Sequence, residues 1–465
     1  MFKNFIWAFI EKGGQFIIQF LSVVILSRFL TPEEYGTYGI MAIFISVSEL
    51  LIDSGFGGVL VQKKQIDQVD INTLFVSNFG MSLFLYLCLF IAAPFIADYY
   101  GIPQLLWYIR VLGLAIIFYA LTIVHFSLLQ RELRFKKSAN ITLIASVISV
   151  ACAVVAAYLG MGIWALIIQP IMMAFSLAAI LWLSEKRSIG FSFSRESFLG
   201  LWNFGSKLLA ANLLQTIYSN VSTSIIPKIA SVKVSGFYYQ ASRLNGIPIG
   251  ILQTTVDKAA FPILSKEKSR ELVLEKARTI NKTIVTIFFP FFTILSLFSM
   301  EIIGIVLGKQ WLEAAPFLSV LAWGGWGLLL QALSRNIYKS IGDTKTILKI
   351  DLIKTLLGFL VLGMSIYFGV TFMIWGLTIS MYIGAVMYAW HLRKDIFYGF
   401  KKQFSDFILP VFTSAITYVL FFVIYKRMDY NWYNIIIALA FLIVYIVLNI
   451  LFKNKVFISL LSKIK

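Results

Sequence analysis

The stretch SRFLTPEEYG, residues 27–36, interrupts an apolar sequence near its start. The residues on either side form apolar runs of about 20 residues, which is long enough for an α-helix to cross a bilayer. Pro32 suits the first turn of a helix, and Glu33 and Glu34 complement the positive charge of a helix N-terminus. The stretch therefore predicts the tip of a hairpin between two membrane-spanning helices.

The composition extends this interpretation to the whole chain. Of the 465 residues, 59% are hydrophobic and 13% are charged, and the mean hydropathy is +0.85. Soluble domains are about half apolar and about one quarter charged. Apolar runs recur along the chain, which predicts an all-α polytopic membrane protein with about fourteen transmembrane helices. The predicted spans are 13–30, 37–61, 72–97, 104–129, 139–160, 163–184, 201–229, 236–262, 280–307, 315–338, 347–369, 372–391, 405–425 and 434–452.

The basic residues predict the orientation. The net charge is +18, from 40 basic and 22 acidic residues. Most of the basic residues fall in alternate loops, such as 131–137, 185–195 and 266–278. By the positive-inside rule these loops are cytoplasmic, and so are both termini. The distribution is typical of a membrane protein, so we expect no nucleic-acid partner.

The sequence does not indicate an enzyme or a metal site. It has no GxxxxGK[ST], HExxH, GxSxG or CxxC motif. Cys88 and Cys152 lie inside predicted spans, where we expect them to act as small packing residues. The two histidines, His125 and His391, are too far apart in sequence to indicate a metal site.

The first hairpin has a counterpart 200 residues later. Gln15, Ile17, Ser22, Ile25, Gly36 and Tyr38 align with Gln215, Ile217, Ser222, Ile225, Gly236 and Tyr238, and Arg28 aligns with Lys228. Two membrane hairpins can look alike by chance. The repeat nevertheless favours two pseudo-symmetric lobes of six spans each, in parallel orientation. The predicted domains are residues 1–190, 191–400 and 401–465, the last holding two trailing spans and a cytoplasmic tail.

Charged residues inside the spans indicate a polar path, because an ionisable side chain in the bilayer usually faces a cavity or a partner. The candidates are Arg28, Glu49, Asp53, Arg110, Lys207, Lys228, Arg243, Asp257, Lys258, Glu301, Arg335 and Asp351. The cations outnumber the acids, which favours an anionic substrate, and guanidinium groups pair bidentately with phosphate.

From this set we predict two kinds of functional residue. The predicted anion ligands are Arg28, Arg110, Lys207, Lys228, Arg243 and Arg335, and the predicted coupling or gating acids are Glu49, Asp53 and Asp257. Arg28, Lys207 and Lys228 lie near span ends, where the alternative is that they snorkel to the lipid headgroups. Asp53 has the further alternatives of pairing with an arginine or packing between helices.

Several segments in this order resemble one family. They are ILSRFLTPEEYGTYGIMAIFISVSELLIDSGFGGVLVQKK (25–64), GFYYQASRLNGIPIGILQTTVDKAAFPILSK (236–266), LGKQWLEAAPFLSVLAWGG (307–325) and IGDTK (341–345). The chain resembles the bacterial polysaccharide transporters. These are the oligosaccharide-lipid flippases of the superfamily that also contains the multidrug-and-toxin exporters and the lipid II flippases.

The resemblance implies a fold, a location and a function. The fold would be two six-helix lobes in a V shape plus two trailing helices, in the bacterial inner membrane. The chain would move an undecaprenyl-diphosphate-linked oligosaccharide across that membrane for O-antigen, capsule or exopolysaccharide synthesis. It would work by alternating access, coupled to a proton or sodium gradient and with no other cofactor. Its partners would be this substrate, membrane lipids, and a polysaccharide polymerase and chain-length regulator.

Three alternatives remain open at this point. A multidrug exporter of the same superfamily would favour an acidic cavity, whereas this chain is basic. A lipid II flippase would be essential for growth. A membrane polysaccharide polymerase would have a large external loop, by resemblance to that class of enzyme, and the loops here are short.

Overall fold

The computed structural model describes residues 2–53, 60, 66–185, 187, 189–267, 269–425, 435–452, 454 and 457. Their regular structure is helical, without a strand in these ranges. The helices are α1 Phe2–Phe29, α2 Pro32–Asp53, α3 Gln68–Tyr100, α4 Leu105–Leu112, α5 Leu114–Arg131, α6 Phe135–Tyr158, α7 Trp164–Ser184, α8 Arg195–Ile229, α9 Val232–Leu264, α10 Arg270–Leu297, α11 Ser299–Val306, α12 Ala315–Ser340, α13 Thr344–Ile366, α14 Val370–Asp395, α15 Phe400–Tyr425 and α16 Ile435–Leu451, and a 3₁₀ helix covers Lys309–Ala314.

Ten helical segments of the described residues are long and apolar enough to cross a membrane, counting α4 with α5 and the 3₁₀ helix with α12. The chain is therefore a multi-pass membrane protein. Helices α8, α9 and α13 also underlie predicted spans, but α8 and α9 are less apolar and α13 carries Lys349, Asp351 and Lys354 within its span. Helix α16 is shorter, at 17 residues. The prediction of an all-helical membrane fold is confirmed, and the count of fourteen spans stays a prediction.

The predicted hairpin tip has a defined hydrogen-bonding pattern. Helix α2 begins at Pro32, and the residue before it, Thr31, caps the helix. The backbone N–H of Thr31 donates to Glu34 Oε2 at 2.7 Å, and the backbone N–H of Glu34 donates to Thr31 Oγ1 at 3.3 Å. This reciprocal pair is a capping box, which satisfies two N–H groups that the helix itself leaves without a partner.

One face of α3 is apolar and exposed. Phe84, Leu87, Ile91 and Phe95 follow each other at intervals of three or four residues, so they lie on one side of the helix. Each is more than half exposed. In a membrane protein such a face contacts lipid, where apolar side chains need no protein partner.

The packing of the helices divides the chain into two units, residues 1–239 and 240–465. In unit 1 a core joins α2, α3, α4 and α7 through Ile40, Met41, Ala93, Ile109 and Ile167. In unit 2 the last two helices pack against α10 and α11 through Leu297, Phe298, Phe421, Phe441 and Tyr445. The units group helices by contact, and the lobe boundaries at 190 and 400 stay predictions.

The repeated glycines lie against each other in unit 1. A Cβ atom on Gly36 would lie 1.9 Å from the backbone oxygen of Val232, and one on Gly236 would lie 1.8 Å from the backbone oxygen of Pro32. Val232 is 200 residues after Pro32, so the two contacts are equivalent under the sequence repeat. The first turns of α2 and α9 therefore pack backbone against backbone.

A buried ion pair ties α15 to α10 in unit 2. Asp406 has a side chain that is 1% exposed, and Arg278 donates to it with Nε at 2.8 Å and NH2 at 2.7 Å. Lys282 Nζ lies 3.1 Å from the same carboxylate, and the Tyr398 hydroxyl donates to it at 3.1 Å. A bidentate arginine fixes both distance and orientation, so the pair sets how α15 docks.

Substitution of either repeated glycine by alanine will separate α2 from α9. We expect Gly36→Ala and Gly236→Ala each to destabilise the protein by about 1–3 kcal/mol, because the new methyl group overlaps a backbone oxygen. The thermal midpoint of the detergent-purified protein measures the effect. Gly80→Ala is the matched control, because no atom lies within 4 Å of its Cβ position. Equal midpoints for all three variants would contradict the close approach.

Neutralising Asp406 will weaken the docking of α15. Because the two cations are partly exposed, we expect Asp406→Asn to cost about 1–3 kcal/mol, less than the roughly 3–5 kcal/mol that breaking a fully buried pair costs. The same thermal measurement tests this value. Asp98→Asn, at an exposed residue of α3, is the control. A midpoint for Asp406→Asn that equals that of the control would show that the ion pair does not hold the helix.

Candidate functional site

A polar pocket of about 130 Å³ lies within unit 2. Its walls come from α9, α12, α13 and α14, and its lining residues are Gln253, Asp257, Leu328, Gln331, Ala332, Arg335, Asn336, Lys339, Lys354 and Tyr388. A space of this size holds several water molecules or a small anion. Of the predicted site residues, the pocket brings together Arg335 and Asp257.

Asp351 joins three of the four helices that form the pocket. Its Oδ2 lies 3.2 Å from Arg335 NH2 of α12, and its Oδ1 lies 3.1 Å from Lys354 Nζ of α13. The hydroxyl of Tyr388, a buried residue of α14, donates to Oδ1 at 2.9 Å. Lys354 also donates to Gln331 Oε1 at 2.9 Å. One carboxylate thus organises two cations and a tyrosine.

Asp257 makes a second cluster at the α9 wall of the pocket. Its Oδ1 accepts from Lys339 Nζ at 2.7 Å and from Asn336 Nδ2 at 2.8 Å. The Asp257 side chain is 50% exposed and that of Lys339 is 35% exposed. This pair is therefore more open to water than the cluster around Asp351, whose side chain is 18% exposed.

The pocket carries an excess of positive charge. Three cations, Arg335, Lys339 and Lys354, face two carboxylates, Asp257 and Asp351. Membrane helices rarely carry unpaired charge, and here each cation has an acidic partner within 3.2 Å. The arrangement can hold an anion, because guanidinium and ammonium groups that are partly exposed donate to phosphate or carboxylate oxygens.

Helix geometry explains why these residues share a face. Gln331, Arg335 and Lys339 are four residues apart on α12, so they lie above one another along the helix. Gln253 and Asp257 have the same spacing on α9. Asp351 and Lys354 are three residues apart on α13, close enough to pair within one helix.

Two predicted anion ligands of unit 1 lie instead against aromatic rings. The guanidinium carbon of Arg110 is 3.9 Å from the ring centroid of Phe90, and its Nε donates to the backbone oxygen of Phe90 at 3.4 Å. Lys228 Nζ is 4.4 Å from the ring centroid of Tyr99. Both rings belong to α3. Such cation–π contacts stabilise a cation where water is scarce.

The other predicted residues are placed as follows. Arg28 is exposed in the last turn of α1, and Arg243 is partly buried in α9. Glu49 and Asp53 lie on the last part of α2, partly buried, with Tyr119 of α5 within electrostatic range of both. The side chain of Lys207, on α8, lies outside the described residues. Arg28, Glu49, Asp53 and Arg243 are not among the described lining residues of the unit 2 pocket.

Sequence reasoning missed several residues of the pocket. The predicted site residues do not include Gln331, Asn336, Lys339, Lys354 or Tyr388. Their helical spacing relative to Arg335 and Asp351 is a signal that the sequence does contain. The partner helix of each residue is not readable from that spacing.

The comparison with protein families shows where the chain belongs. The family described as "Polysaccharide biosynthesis protein" matches residues 25–316, which is more than half of the chain. The chain belongs to this family, and the resemblance drawn from the sequence segments is confirmed. Asp257 lies inside the matched region, and Arg335, Asp351 and Lys354 lie beyond it.

Individual relatives are distant in sequence. The chain is 24% identical over 319 residues to the teichuronic acid biosynthesis protein TuaB of Bacillus subtilis, covering 68% of this chain and 66% of the relative. It is 25% identical over 321 residues to the succinoglycan biosynthesis transport protein ExoT of Rhizobium meliloti, covering 69% and 65%. The match thus spans slightly less than two thirds of each of these relatives. For the lipopolysaccharide biosynthesis protein WzxC of Escherichia coli the identity is 24% over 380 residues, covering 74% and 76%.

Solved structures establish the fold. A lipid II flippase, MurJ, in an inward closed conformation superposes with a TM-score of 0.79 over 97% of this chain and 100% of that chain, at 15% identity. An inward-facing multidrug transporter of the MATE family gives 0.63 over 82% and 94%, also at 15% identity. At these identities the likeness concerns the fold alone.

Proposed function

We propose that this protein is a flippase that moves an undecaprenyl-diphosphate-linked oligosaccharide across the bacterial inner membrane for surface polysaccharide synthesis. The observation that carries the proposal is the pocket of unit 2. It places three cations against two acids among the ends of membrane helices, in a chain of the polysaccharide biosynthesis family. A diphosphate is the anion that a lipid carrier would bring to such a pocket.

The proposed chemistry is recognition without covalent change, so the protein would be a transporter and not an enzyme. Arg335 presents a planar guanidinium that can pair with two phosphate oxygens, while Lys339 and Lys354 act as point charges. The other predicted cations, Arg28, Arg110, Lys207, Lys228 and Arg243, would meet the diphosphate elsewhere along the path.

Movement would follow from alternating access of the two predicted lobes, driven by a proton or sodium gradient. Glu49, Asp53 and Asp257 remain the acids proposed for coupling or gating. Asp257 has a geometry that suits this role, because its carboxylate is half exposed while it accepts hydrogen bonds from Lys339 and Asn336.

In the proposed topology both termini and the pocket of unit 2 lie on the cytoplasmic side. The basic segments 266–278 and 339–345, which follow or include the ends of α9 and α12, support this orientation. The substrate would then be collected where it is made. A polysaccharide polymerase and a chain-length regulator would act on it after it has crossed the membrane.

Deletion of the gene tests the function. We expect loss of the surface polysaccharide and accumulation of lipid-diphosphate-linked oligosaccharide, measured by mass spectrometry of extracted lipids. Complementation with Arg335→Ala should restore about one tenth or less of the polymer, because loss of one charge-assisted contact costs about 1.5–3 kcal/mol. Arg393→Ala, at an exposed arginine of α14 outside the pocket, is the matched control and should restore normal polymer.

The other outcomes separate the rival functions. Normal polymer with altered drug susceptibility in the deletion strain would favour a drug exporter. Loss of viability with accumulation of cell-wall precursor would favour a lipid II flippase. Normal polymer with Arg335→Ala at normal protein abundance would remove Arg335 from the proposed ligands.

A further inference from the structure

The pocket cations of unit 2 are held by carboxylates of the same unit. Arg335 and Lys354 both pair with Asp351, and Lys339 pairs with Asp257. Each pocket cation therefore already shares its charge with a carboxylate. An anionic ligand can bind these cations fully only if it displaces that carboxylate. Binding would be an exchange of one anion for another.

The geometry around Asp351 favours such an exchange. Its contacts with Arg335 and Lys354 are 3.2 and 3.1 Å, longer than the 2.7–2.9 Å typical of strong charge-assisted hydrogen bonds. The contact with Arg335 uses one guanidinium nitrogen, and the Arg335 side chain is 48% exposed. A diphosphate offers more oxygens and more negative charge than one carboxylate, so it can compete for the same donors.

Asp351 keeps a partner after it has lost the cations. The hydroxyl of Tyr388 donates to its Oδ1 at 2.9 Å, and Tyr388 is fully buried in α14. The backbone of Asp351 lies inside α13, so the carboxylate stays next to the lining residues Arg335, Lys354 and Tyr388. It remains within reach of Arg335 and Lys354 and can reclaim them when the ligand leaves.

We propose that Asp351 is an internal competitor that limits the affinity of the unit 2 pocket for diphosphate and so allows the ligand to be released. The inference rests on the proposed function for the identity of the ligand. Transport needs binding that is strong enough to capture the ligand and weak enough to let it go, as in ion conduction. Asp351 would set that balance although its carboxylate does not contact the ligand in the bound state.

Equilibrium binding to the purified full-length protein tests the proposal. The probes are inorganic pyrophosphate and farnesyl diphosphate, measured by calorimetry. We expect Asp351→Asn to lower the Kd for both probes by about 3- to 10-fold, because the cations lose their competing charge while asparagine can still accept from Tyr388. Arg335→Ala should raise the Kd by about tenfold.

A matched acid controls for unspecific effects of charge. Asp395 also accepts a tyrosine hydroxyl, from Tyr338 at 2.5 Å, but among the described residues it forms no ion pair with Arg335, Lys339 or Lys354. Asp395→Asn should therefore leave the Kd of both probes unchanged. A Kd that rises or stays the same in Asp351→Asn, with a normal unfolding midpoint, would overturn the proposal.

A second variant covers the case in which Asp351→Asn does not fold. Asp257 is half exposed, so Asp257→Asn is expected to fold, and it should lower the Kd by about twofold by releasing Lys339. No change or a rise in the Kd would overturn the competition between carboxylate and ligand. A lower Kd for pyrophosphate but not for farnesyl diphosphate would overturn the assignment to a lipid headgroup.

The polysaccharide assay separates this inference from the proposed function. Asp351→Asn should bind diphosphate more tightly and yet restore less polymer than the unaltered gene, because release becomes slow. If the deletion strain loses polymer but the Kd does not respond to Asp351→Asn, the inference alone fails. If the Kd responds but the deletion strain keeps its polymer, the proposed function fails and the competition at the pocket stands.

Discussion

The close approach of α2 and α9 at Gly36 and Gly236 is the constraint on which the packing of unit 1 depends. Each glycine lies against a backbone oxygen of the other helix, at a distance that leaves no room for a Cβ atom. Around this contact the rings of Tyr35 and Tyr38 lie 6.3 and 5.8 Å from that of Tyr239. The contact joins the start of α9 to the first hairpin, and unit 1 accordingly extends to residue 239.

The pocket of unit 2 depends on a different constraint. Its charged side chains lie within membrane helices, and each cation there is paired with an acid. Helices α9 and α13 carry the two acids that pair with the pocket cations, and neither helix is among the ten apolar segments found in the described residues. The energetic cost of placing ions there is offset by the pairs that Asp351 and Asp257 form.

The sequence predicted the helices well, because length and hydropathy are local properties. The start of α2 at Pro32 and its acidic first turn could be read from ten residues, whereas the capping box between Thr31 and Glu34 was not predicted. A shift of the sequence by 200 residues matched Gly36 with Gly236, which the structure places in contact. Partners of charged residues could not be predicted, because they depend on which helices face each other. Arg110 and Lys228 were expected to bind anions, and the structure places each beside an aromatic ring of α3. Helix α8 begins at Arg195, earlier than the predicted 201. The spans were predicted from apolar runs, and the start of this helix is too polar to belong to one.

The spacing of residues along α3 gives the axial separation of the two unit 1 cations that contact it, Arg110 and Lys228. Phe90, beside Arg110, and Tyr99, beside Lys228, are nine residues apart, which is about 13 Å along the helix axis. A diphosphate group is only a few ångströms long, so it cannot contact both cations at once while they hold these positions. If both cations belong to the path of the substrate, the diphosphate contacts them one after the other, at different depths in the membrane.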